Sequence, residues 1–408
     1  MEKEGKVTKV CCILNPISGK GRSAKAVYGP DSFIGTGTLI YPTQSFKDAM
    51  AEINPDIEFV IKETERRGHA VELAEEYANQ GYAIIGAGGD GTLGEVVQGL
   101  IKCKYGLKNP CGFVSCGTQN FFSIACGIME PKQVCELIKT STTNPISVFS
   151  LTDGENGNLE DTLGSVQLHF GMPVRAVAGQ DYGRTHIGGP AVWLKLFAIN
   201  TVLNPNKNGN NVHCKITITT LDDKVVEVEG KFIWIIVNQL NPLDGTNTEN
   251  SYISYCMADN FCGLPRFVKT IKDPMEFIGG VTRTMQDSHA FKSVTLEPLG
   301  YTKTSKNGKW ICVLDGDNIE VDGMLKVVAK KNFIERFFVE REPKRDARFL
   351  PKRHGPMGPA QQEHHKRISG GEVLKIDSGA IRGKIIGCCF FLLIAIVIVI
   401  LFSLGIIS

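Results

Sequence analysis

The sequence contains no GxxxxGK[ST] segment, and this absence excludes a Walker P-loop. Lysine and arginine number 45 against 43 aspartate and glutamate, and the resulting net charge of +2 argues against a nucleic-acid-binding protein. The 13 cysteines form no C-x-x-C pair, which argues against a zinc site, and the N-terminal residues show no signal-peptide pattern. Together these features predict reduced thiols facing the cytosol. No internal repeat is evident.

The most informative stretch, residues 83–102, combines a strand, a glycine-rich turn and a helix. Residues 83–85 are a short apolar run typical of a buried parallel strand. From Leu93 to Ile101, apolar residues recur at helical spacing. The turn between them, residues 88–92 (GGDGT), would present backbone N–H groups and the positive end of a helix to a phosphate. Asp90 would repel that phosphate unless Mg²⁺ lies between them or Asp90 takes the proton of an attacking hydroxyl.

Two other interpretations of this turn compete. Residues 86–91 also satisfy the G-x-G-x-x-G dinucleotide pattern. That pattern expects an acid about 20 residues further on, but residues 106–112 (GLKNPCG) contain none. The remaining alternative is a plain tight turn with Asp90 at the surface.

Several motifs, in order, resemble those of the diacylglycerol kinase and sphingosine kinase superfamily. The GGDGT turn is shared by that superfamily and by the NAD kinases. Residues 15–21 (NPISGKG) resemble the NPxSGxG motif, and Lys20 and Arg22 add positive charge where a phosphate would lie. Residues 64–70 (TERRGHA) are similar to a phosphate-contacting stretch of sphingosine kinases. They also predict the start of a helix that Thr64 caps, with Arg66 or Arg67 beside its positive end. Residues 117–120 (GTQN) resemble the PxGTGN turn, and residues 315–317 (DGD) resemble the late DGE motif.

The resemblance implies a site for ATP and Mg²⁺ in which Asp90 is catalytic and Asp90 and Asp317 hold the metal. Asp181 is the acid nearest in sequence to the position that pairs with a sphingoid amine in the family, and it is the predicted lipid contact. The implied nucleotide contacts are Asn15, Ser18, Gly19, Lys20, Gly21, Thr64, Arg66, Gly88, Gly89, Gly91, Thr92, Gly117, Thr118, Asn120, Arg184, Asp315, Gly316 and Asp317.

The sequence also departs from the family pattern. Ser115 stands where proline is usual, and Gln119 replaces a glycine, so its side chain would crowd a close backbone approach. Asp317 replaces a glutamate and is one methylene shorter. The amine-pairing acid has no clear counterpart, and Val177 or Ala178 lies nearest to its position.

The predicted fold class is α/β with two lobes and a C-terminal transmembrane helix. Alternating strand and helix patterns predict a parallel α/β nucleotide lobe over residues 1–145, with an irregular insertion at residues 24–54. A period of two then predicts a mainly antiparallel β domain for the lipid substrate over residues 146–340. Within it the predicted strands are Val212–Thr220, Val225–Glu229, Lys231–Asn238 and Ser293–Glu297.

Two further segments follow. Residues 341–384 are rich in charge, proline and glycine and predict a basic flexible linker, which either holds anionic lipid or is simply solvated. Residues 385–408 carry no charge and, as a helix, would span roughly 36 Å. With Arg382 and Lys384 on its N-terminal side, this segment predicts a tail anchor that leaves the catalytic part in the cytosol. Cys388 and Cys389 would either pack or carry palmitoyl groups.

The motifs and the tail together predict an ATP-dependent lipid kinase that favours a sphingoid base over diacylglycerol. Three alternatives stay open: a diacylglycerol kinase, an NAD kinase, and a membrane-tethered pseudokinase that binds nucleotide or lipid without turnover. The predicted membrane anchor argues against an NAD kinase, which would not need one. The substitutions at Gln119 and Asp317 favour the pseudokinase, whereas the intact Asp90 and Thr92 argue against it.

Overall fold

The structure is a computed structural model that describes residues 6–29, 32–36, 39–117, 120–128, 130–154, 159, 162–171, 174, 211–240, 247–257, 287–299 and 309–340. The predicted linker at 341–384, the predicted anchor at 385–408 and the predicted contacts Thr118, Asp181 and Arg184 lie outside these residues, as does Gln119. Within the ranges just given, no helix is both long enough and apolar enough to cross a lipid bilayer.

The N-terminal part alternates strands with helices. Its elements are β1 (Lys9–Leu14), α1 (Ser18–Tyr28), β2 (Ser32–Thr36), β3 (Leu39–Thr43), α2 (Phe46–Ile53), β4 (Glu58–Glu63), α3 (His69–Asn79), β5 (Ala83–Gly88), α4 (Asp90–Lys102), β6 (Cys111–Ser115), α5 (Phe121–Cys126) and α6 (Pro131–Thr140). Strands β4, β1, β5 and β6 lie side by side and run parallel. The predicted parallel α/β arrangement is therefore confirmed.

The C-terminal part consists of strands in the described residues. They are β7 (Asn144–Asp153), β8 (Thr162–Gly164), β9 (Gln167–Gly171), β10 (Val212–Thr220), β11 (Val225–Leu240), β12 (Asn247–Met257), β13 (Asp287–Pro298), β14 (Trp310–Leu314), β15 (Asp317–Val321) and β16 (Leu325–Phe337). Their pairings with one another are antiparallel, which confirms a β-rich second part.

One sheet connects the two parts. The last strand, β16, pairs in parallel with β6 at Phe337 and Cys111, and the Phe338 N–H donates to the Cys111 carbonyl at 2.7 Å. Each part nevertheless has its own core. Buried β1, β5 and β6 pack against the helices in the first, and alternate residues of strands β9 to β16 fill the second. The turn after β5 lies close to the β-rich part, because Asp315 and Asp317 are next to Gly91.

Three local expectations were wrong. Residues 24–54, expected to be irregular, contain the end of α1, a β2–β3 hairpin and α2. The two strands expected on either side of Gly230 form one continuous strand, β11. Helix α3 begins at His69 rather than at Thr64, because Gly68 takes the left-handed conformation with φ of 78° and supplies the N-cap.

Candidate nucleotide-phosphate site

Three glycine-containing turns meet at the carboxyl ends of adjacent parallel strands. Residues 15–21 follow β1 and residues 88–92 follow β5. The third turn follows β6 and is described at Gly117 and Asn120. Backbone hydrogen bonds tie them together, since Asn15 N–H donates to the Ala87 carbonyl at 2.9 Å and Cys116 N–H donates to the Gly88 carbonyl at 2.7 Å. This edge of a parallel sheet is where such folds bind ligands, so the turns occupy the position that the motifs predict.

The glycines of these turns pack against backbone or side-chain atoms too closely for a side chain. A Cβ on Gly19 would lie 2.2 Å from the Cys116 carbonyl oxygen, and one on Gly117 would lie 2.7 Å from the Gly89 Cα. A Cβ on Gly88 would lie 2.4 Å from the Thr92 Oγ1. Because real Cβ atoms do not approach other atoms so closely, glycine is required here for packing as well as for backbone conformation.

Arg22 connects two of the turns. Its Nε donates to the Gly19 carbonyl at 2.9 Å and its Nη2 donates to the Gly117 carbonyl at 3.0 Å. Burial lowers the pKa of Arg22, while the nearby Cys116 raises it. The sequence predicts only a positive charge near a phosphate at Arg22, whereas the structure shows that its guanidinium also holds the first and third turns together.

Asn15 and Thr92, two predicted nucleotide contacts, lie beside each other. The Asn15 Nδ2 donates to the Thr92 Oγ1 at 3.3 Å, and Thr92 is buried. The Asn15 carbonyl accepts from the Ser23 hydroxyl, which also donates to the Ser18 carbonyl at 3.2 Å. The turn that leads into α1 is thus anchored to Thr92 of the GGDGT turn by a side chain and to the end of β5 by the backbone.

Asp90 is the first residue of α4, and the extended residue Gly89 precedes it as the N-cap. Its Oδ1 accepts a long 3.4 Å hydrogen bond from the Phe122 N–H at the start of α5. A carboxylate in the first turn of a helix interacts favourably with the helix dipole. No group of three or more His, Cys, Asp and Glu side chains that could hold a metal occurs among the described residues.

Asp317, at the start of β15, reaches α4 from the β-rich part. Its Oδ2 lies 3.4 Å from the position of a Cβ on Gly91 and 3.5 Å from the Arg67 guanidinium. Arg66, the predicted arginine contact, is paired instead with Glu72 at 2.6 Å. The structure therefore brings Arg67, and not Arg66, to the residues at the start of α4.

The loop that carries Arg67 is fixed by α4. The Gly68 N–H donates to the Glu95 Oε1 at 3.0 Å, and the Thr64 N–H donates to the Leu14 carbonyl at 2.8 Å. The predicted capping of α3 by Thr64 is wrong, because the helix starts five residues later. The sequence does contain an indication for Arg67. Gly68 follows it directly, and its left-handed conformation ends the loop there.

Asp315 is buried and faces its own domain. Its Oδ1 accepts from the N–H groups of Val166 and Gln167 at 2.9 and 2.8 Å, and its Oδ2 accepts from the N–H and the hydroxyl of Ser165 at 2.7 and 2.9 Å. Burial raises the pKa of Asp315, and these hydrogen bonds oppose that effect. Both carboxylate oxygens are therefore occupied by donors of the β-rich part, and the nucleotide contact that the motif implies for Asp315 stays a prediction.

The structure brings most of the predicted site residues to one place. Apart from Thr118, Asp181 and Arg184, the predicted contacts have described backbones, although the side chain of Lys20 is not described. Gathered around the three turns and the start of α4 are Asn15, Ser18, Gly19, Gly21, Gly88, Gly89, Asp90, Gly91, Thr92, Gly117, Asn120, Gly316 and Asp317.

These features define an α/β fold with a candidate phosphate site, formed by bare backbone, a helix N-terminus and the carboxylates of Asp90 and Asp317. The family model of the diacylglycerol kinase catalytic domain matches residues 35–151. A crystal structure of a diacylglycerol kinase from Bacillus anthracis strain Sterne superposes with a TM-score of 0.51 at 16% identity, covering 83% of this chain and 99% of that chain. At that identity the superposition supports the fold alone.

Two curated relatives give the same indication. The probable lipid kinase YegS-like of Citrobacter koseri is 33% identical over 89 residues, or 21% of this chain and 30% of that protein. Sphingoid long-chain bases kinase 1 of Arabidopsis thaliana is 30% identical over 174 residues, or 41% of this chain and 19% of that protein. The chain thus spans less than a third of the length of either relative. The matches confirm the predicted resemblance to the diacylglycerol kinase and sphingosine kinase superfamily.

Proposed function

We propose that this protein is a lipid kinase that transfers the γ-phosphoryl group of ATP to a lipid hydroxyl. One observation carries the proposal: three glycine turns meet at the start of α4, where Asp90 and Asp317 approach from the two parts of the chain. Phosphoryl transfer needs positioning and charge stabilisation more than covalent chemistry by the protein. Backbone N–H groups, a helix N-terminus and an arginine supply both.

Each group has a proposed role. The turns that contain Gly19, Gly89 and Gly117 bind the phosphates through backbone N–H groups, and Arg67 neutralises phosphate charge. Asp90 accepts the proton of the attacking hydroxyl or orients the metal. The oxygen donors of Asp90 and Asp317 fit Mg²⁺, which prefers carboxylate oxygens together with substrate phosphates. When bound, Mg²⁺ would neutralise charge on the transferring phosphoryl group.

For the acceptor we favour a sphingoid base over diacylglycerol. The segment 64–70 resembles sphingosine kinases, and one relative carries the name sphingoid long-chain bases kinase 1. The matching family model is that of the diacylglycerol kinases, so diacylglycerol is the second candidate acceptor. Asp181 is the carboxylate that we propose for an amine-bearing lipid.

We further propose that residues 1–145 form the nucleotide lobe and residues 146–340 the lipid domain, and that the chain is held at a membrane. The uncharged residues 385–408 would insert as a membrane anchor, and the basic residues of 341–384 would lie on its cytosolic side. Such an anchor would confine the enzyme to the surface where its lipid acceptor resides.

The deciding experiment is transfer of radiolabelled γ-phosphate by the full-length protein in mixed micelles. Sphingosine, ceramide, diacylglycerol and monoacylglycerol are offered separately, and soluble NAD is offered in parallel. We expect label in a lipid, and we expect Asp90→Asn to abolish it. The control is Asp56→Asn, which changes an exposed carboxylate in the turn before β4.

The other outcomes identify the alternatives. Nucleotide binding without label in any lipid would favour the pseudokinase, and label in NAD would favour an NAD kinase. Unchanged lipid phosphorylation by the Asp90→Asn protein would refute the role of Asp90.

A further inference from the structure

The turn formed by residues 315–317 rests directly on the first turns of α4. A Cβ on Gly91 would lie 3.4 Å from the Asp317 Oδ2 and 3.7 Å from the Asp315 carbonyl oxygen. A Cβ on Gly94 would lie 3.6 Å from the Asp315 Oδ2. Gly91 and Gly94 are three residues apart and share one face of the helix. At these two positions the helix has no side chain, so the turn from the β-rich part can approach it closely.

Asp315 fixes this turn to a second part of the β-rich region. Its carboxylate accepts four hydrogen bonds from Ser165 and Val166, which lie between β8 and β9, and from Gln167, the first residue of β9. Its own N–H donates to the Gln167 carbonyl at 2.9 Å. The donor and acceptor residues are about 150 positions apart in the chain. The carboxylate therefore clamps two distant turns together beside α4.

A carboxylate suits this position better than its amide. Three backbone N–H groups and one hydroxyl converge on two oxygens, and an ionised aspartate offers acceptors only. An asparagine would turn its NH₂ group toward at least one backbone N–H, which leaves a buried donor unpaired. The backbone at Asp315 has φ of 48°, a left-handed conformation that aspartate tolerates better than most residues.

We propose that Asp315 is a positioning residue that holds Asp317 at the start of α4 and so sets the geometry of the nucleotide-phosphate site. It acts through Asp317, two residues further on, and through the face of α4 at Gly91 and Gly94. The inference deepens the proposed kinase function, because it assigns to Asp315 a role in binding MgATP that does not require contact with the nucleotide.

The experiment compares two buried aspartates of the same region. Asp153 is also buried, and it accepts backbone hydrogen bonds from Leu159 at 2.8 Å and from Asp322 at 2.9 Å. Asp315→Asn and Asp153→Asn thus damage similar interactions, and thermal unfolding reports whether they destabilise the protein to similar extents. The decisive readout is the dissociation constant of a fluorescent ATP analogue, measured with Mg²⁺ and with EDTA.

We expect Asp315→Asn to weaken binding about ten-fold in Mg²⁺, and less in EDTA, because the loss of one buried acceptor is large enough to displace Asp317. Asp153→Asn should stay within about two-fold of the wild type, because its partners lie away from the glycine turns. A folded Asp315→Asn protein with wild-type affinity would overturn the proposal. An equal loss in the two variants, or equal losses with and without Mg²⁺, would also overturn it.

A second variant covers the case in which Asp315→Asn does not fold. Ser165→Ala removes one of the four hydrogen bonds to the carboxylate. We expect a loss of about two- to three-fold in Mg²⁺-dependent binding, and an unchanged constant would overturn the proposal. Because nucleotide binding requires no lipid, these comparisons stand even if no lipid is phosphorylated. That failure would count against the proposed function alone.

Discussion

The guanidinium of Arg67 lies 3.5 Å from the carboxylate of Asp317 and joins the loop before α3 to the start of β15. Both side chains are more than half exposed, at 71% and 51%. Exposed ion pairs contribute at most about 1 kcal/mol to stability, so this pair contributes little to the stability of the fold. Because Asp317 lies beside Gly91, we propose instead that the two charges act on bound phosphate.

Arg67→Gln should weaken MgATP binding about ten-fold, since a charge-assisted hydrogen bond to phosphate is lost. Arg66→Gln is the matched control, because Arg66 is paired with Glu72 away from Asp317. The KM for ATP and the affinity for a fluorescent analogue measure both effects. If Arg66→Gln proved the more damaging substitution, the assignment of Arg67 to the site would be wrong.

Gly19 and Gly21 give a second matched pair. Both have positive φ, of 58° and 81°, but a Cβ on Gly21 would meet no described atom within 4 Å, whereas one on Gly19 would meet the Cys116 carbonyl. Gly21→Ala should cost only the left-handed backbone strain of about 1 kcal/mol. Gly19→Ala must also move the residue that leads into the third turn, and nucleotide affinity should fall well beyond the change in Gly21→Ala. Equal affinities in the two folded variants would contradict this prediction.

We expect Arg22 to support the site by bonding the first and third turns to each other, and not by binding phosphate. Lysine keeps the charge but offers a single donor nitrogen, which does not match the separate Nε and Nη2 bonds to the Gly19 and Gly117 carbonyls. Arg22→Lys and Arg22→Gln should therefore lower the melting temperature and the ATP affinity to similar extents. Near-normal affinity in Arg22→Lys alone would show that the charge matters more than the two bonds.

The features that could be predicted from the sequence are those formed by residues close together in the chain. The three strand–turn units and the alternation of β10 and its neighbours lie within short windows, and the structure confirms them. The roles of Asp315 and Arg22 depend on partners 148 to 150 and up to 95 residues away, and no local pattern encodes such pairings. Arg66 and Arg67 are neighbours in sequence, and Glu95 and the left-handed Gly68 decide which one faces Asp317.

His169 should make the fold sensitive to acid. The Trp234 indole N–H donates to the His169 Nδ1 at 3.1 Å, so the ring proton lies on Nε2 and is donated to the Gln167 Oε1 at 3.0 Å. If Nδ1 were protonated, its N–H would face the indole N–H of Trp234, and neither donor would have an acceptor there. Burial lowers the pKa of His169 from 6.5 to about 3. As pH falls below 6.5 the unfolded chain gains a proton that the folded chain does not, so stability is full above 6.5 and decreases toward about 3.

At pH 5 this loss amounts to about 2 kcal/mol. His169→Gln removes the titrating ring, and we expect its unfolding free energy in urea to decrease less between pH 7 and pH 5 than that of the wild type. His289, whose pKa burial also lowers, is present in both proteins and cancels from the difference. Identical decreases in the two proteins would exclude His169 as the source of the sensitivity.

Asp317 provides the test of the metal assignment. It stands in place of the family's glutamate, and its Oδ2 lies close to the face of α4 at Gly91, so the shorter side chain is compensated by the close approach that glycine allows. Asp317→Asn should raise the Mg²⁺ concentration needed for half-maximal phosphoryl transfer, because a neutral amide is a weaker ligand for a hard cation. In EDTA its affinity for nucleotide should change little or rise, since a negative charge near the phosphates is removed.

Asp317→Glu is the control variant, because it keeps the negative charge and lengthens the side chain by one methylene. It keeps the carboxylate, so the Mg²⁺ dependence should lie nearer to that of the wild type than to that of Asp317→Asn. Titration of Mg²⁺ in the transfer assay distinguishes the three proteins. If the two variants were equally impaired, the exact position of the carboxylate would matter more than its charge, and contact with Arg67 rather than metal binding would be the main role of Asp317.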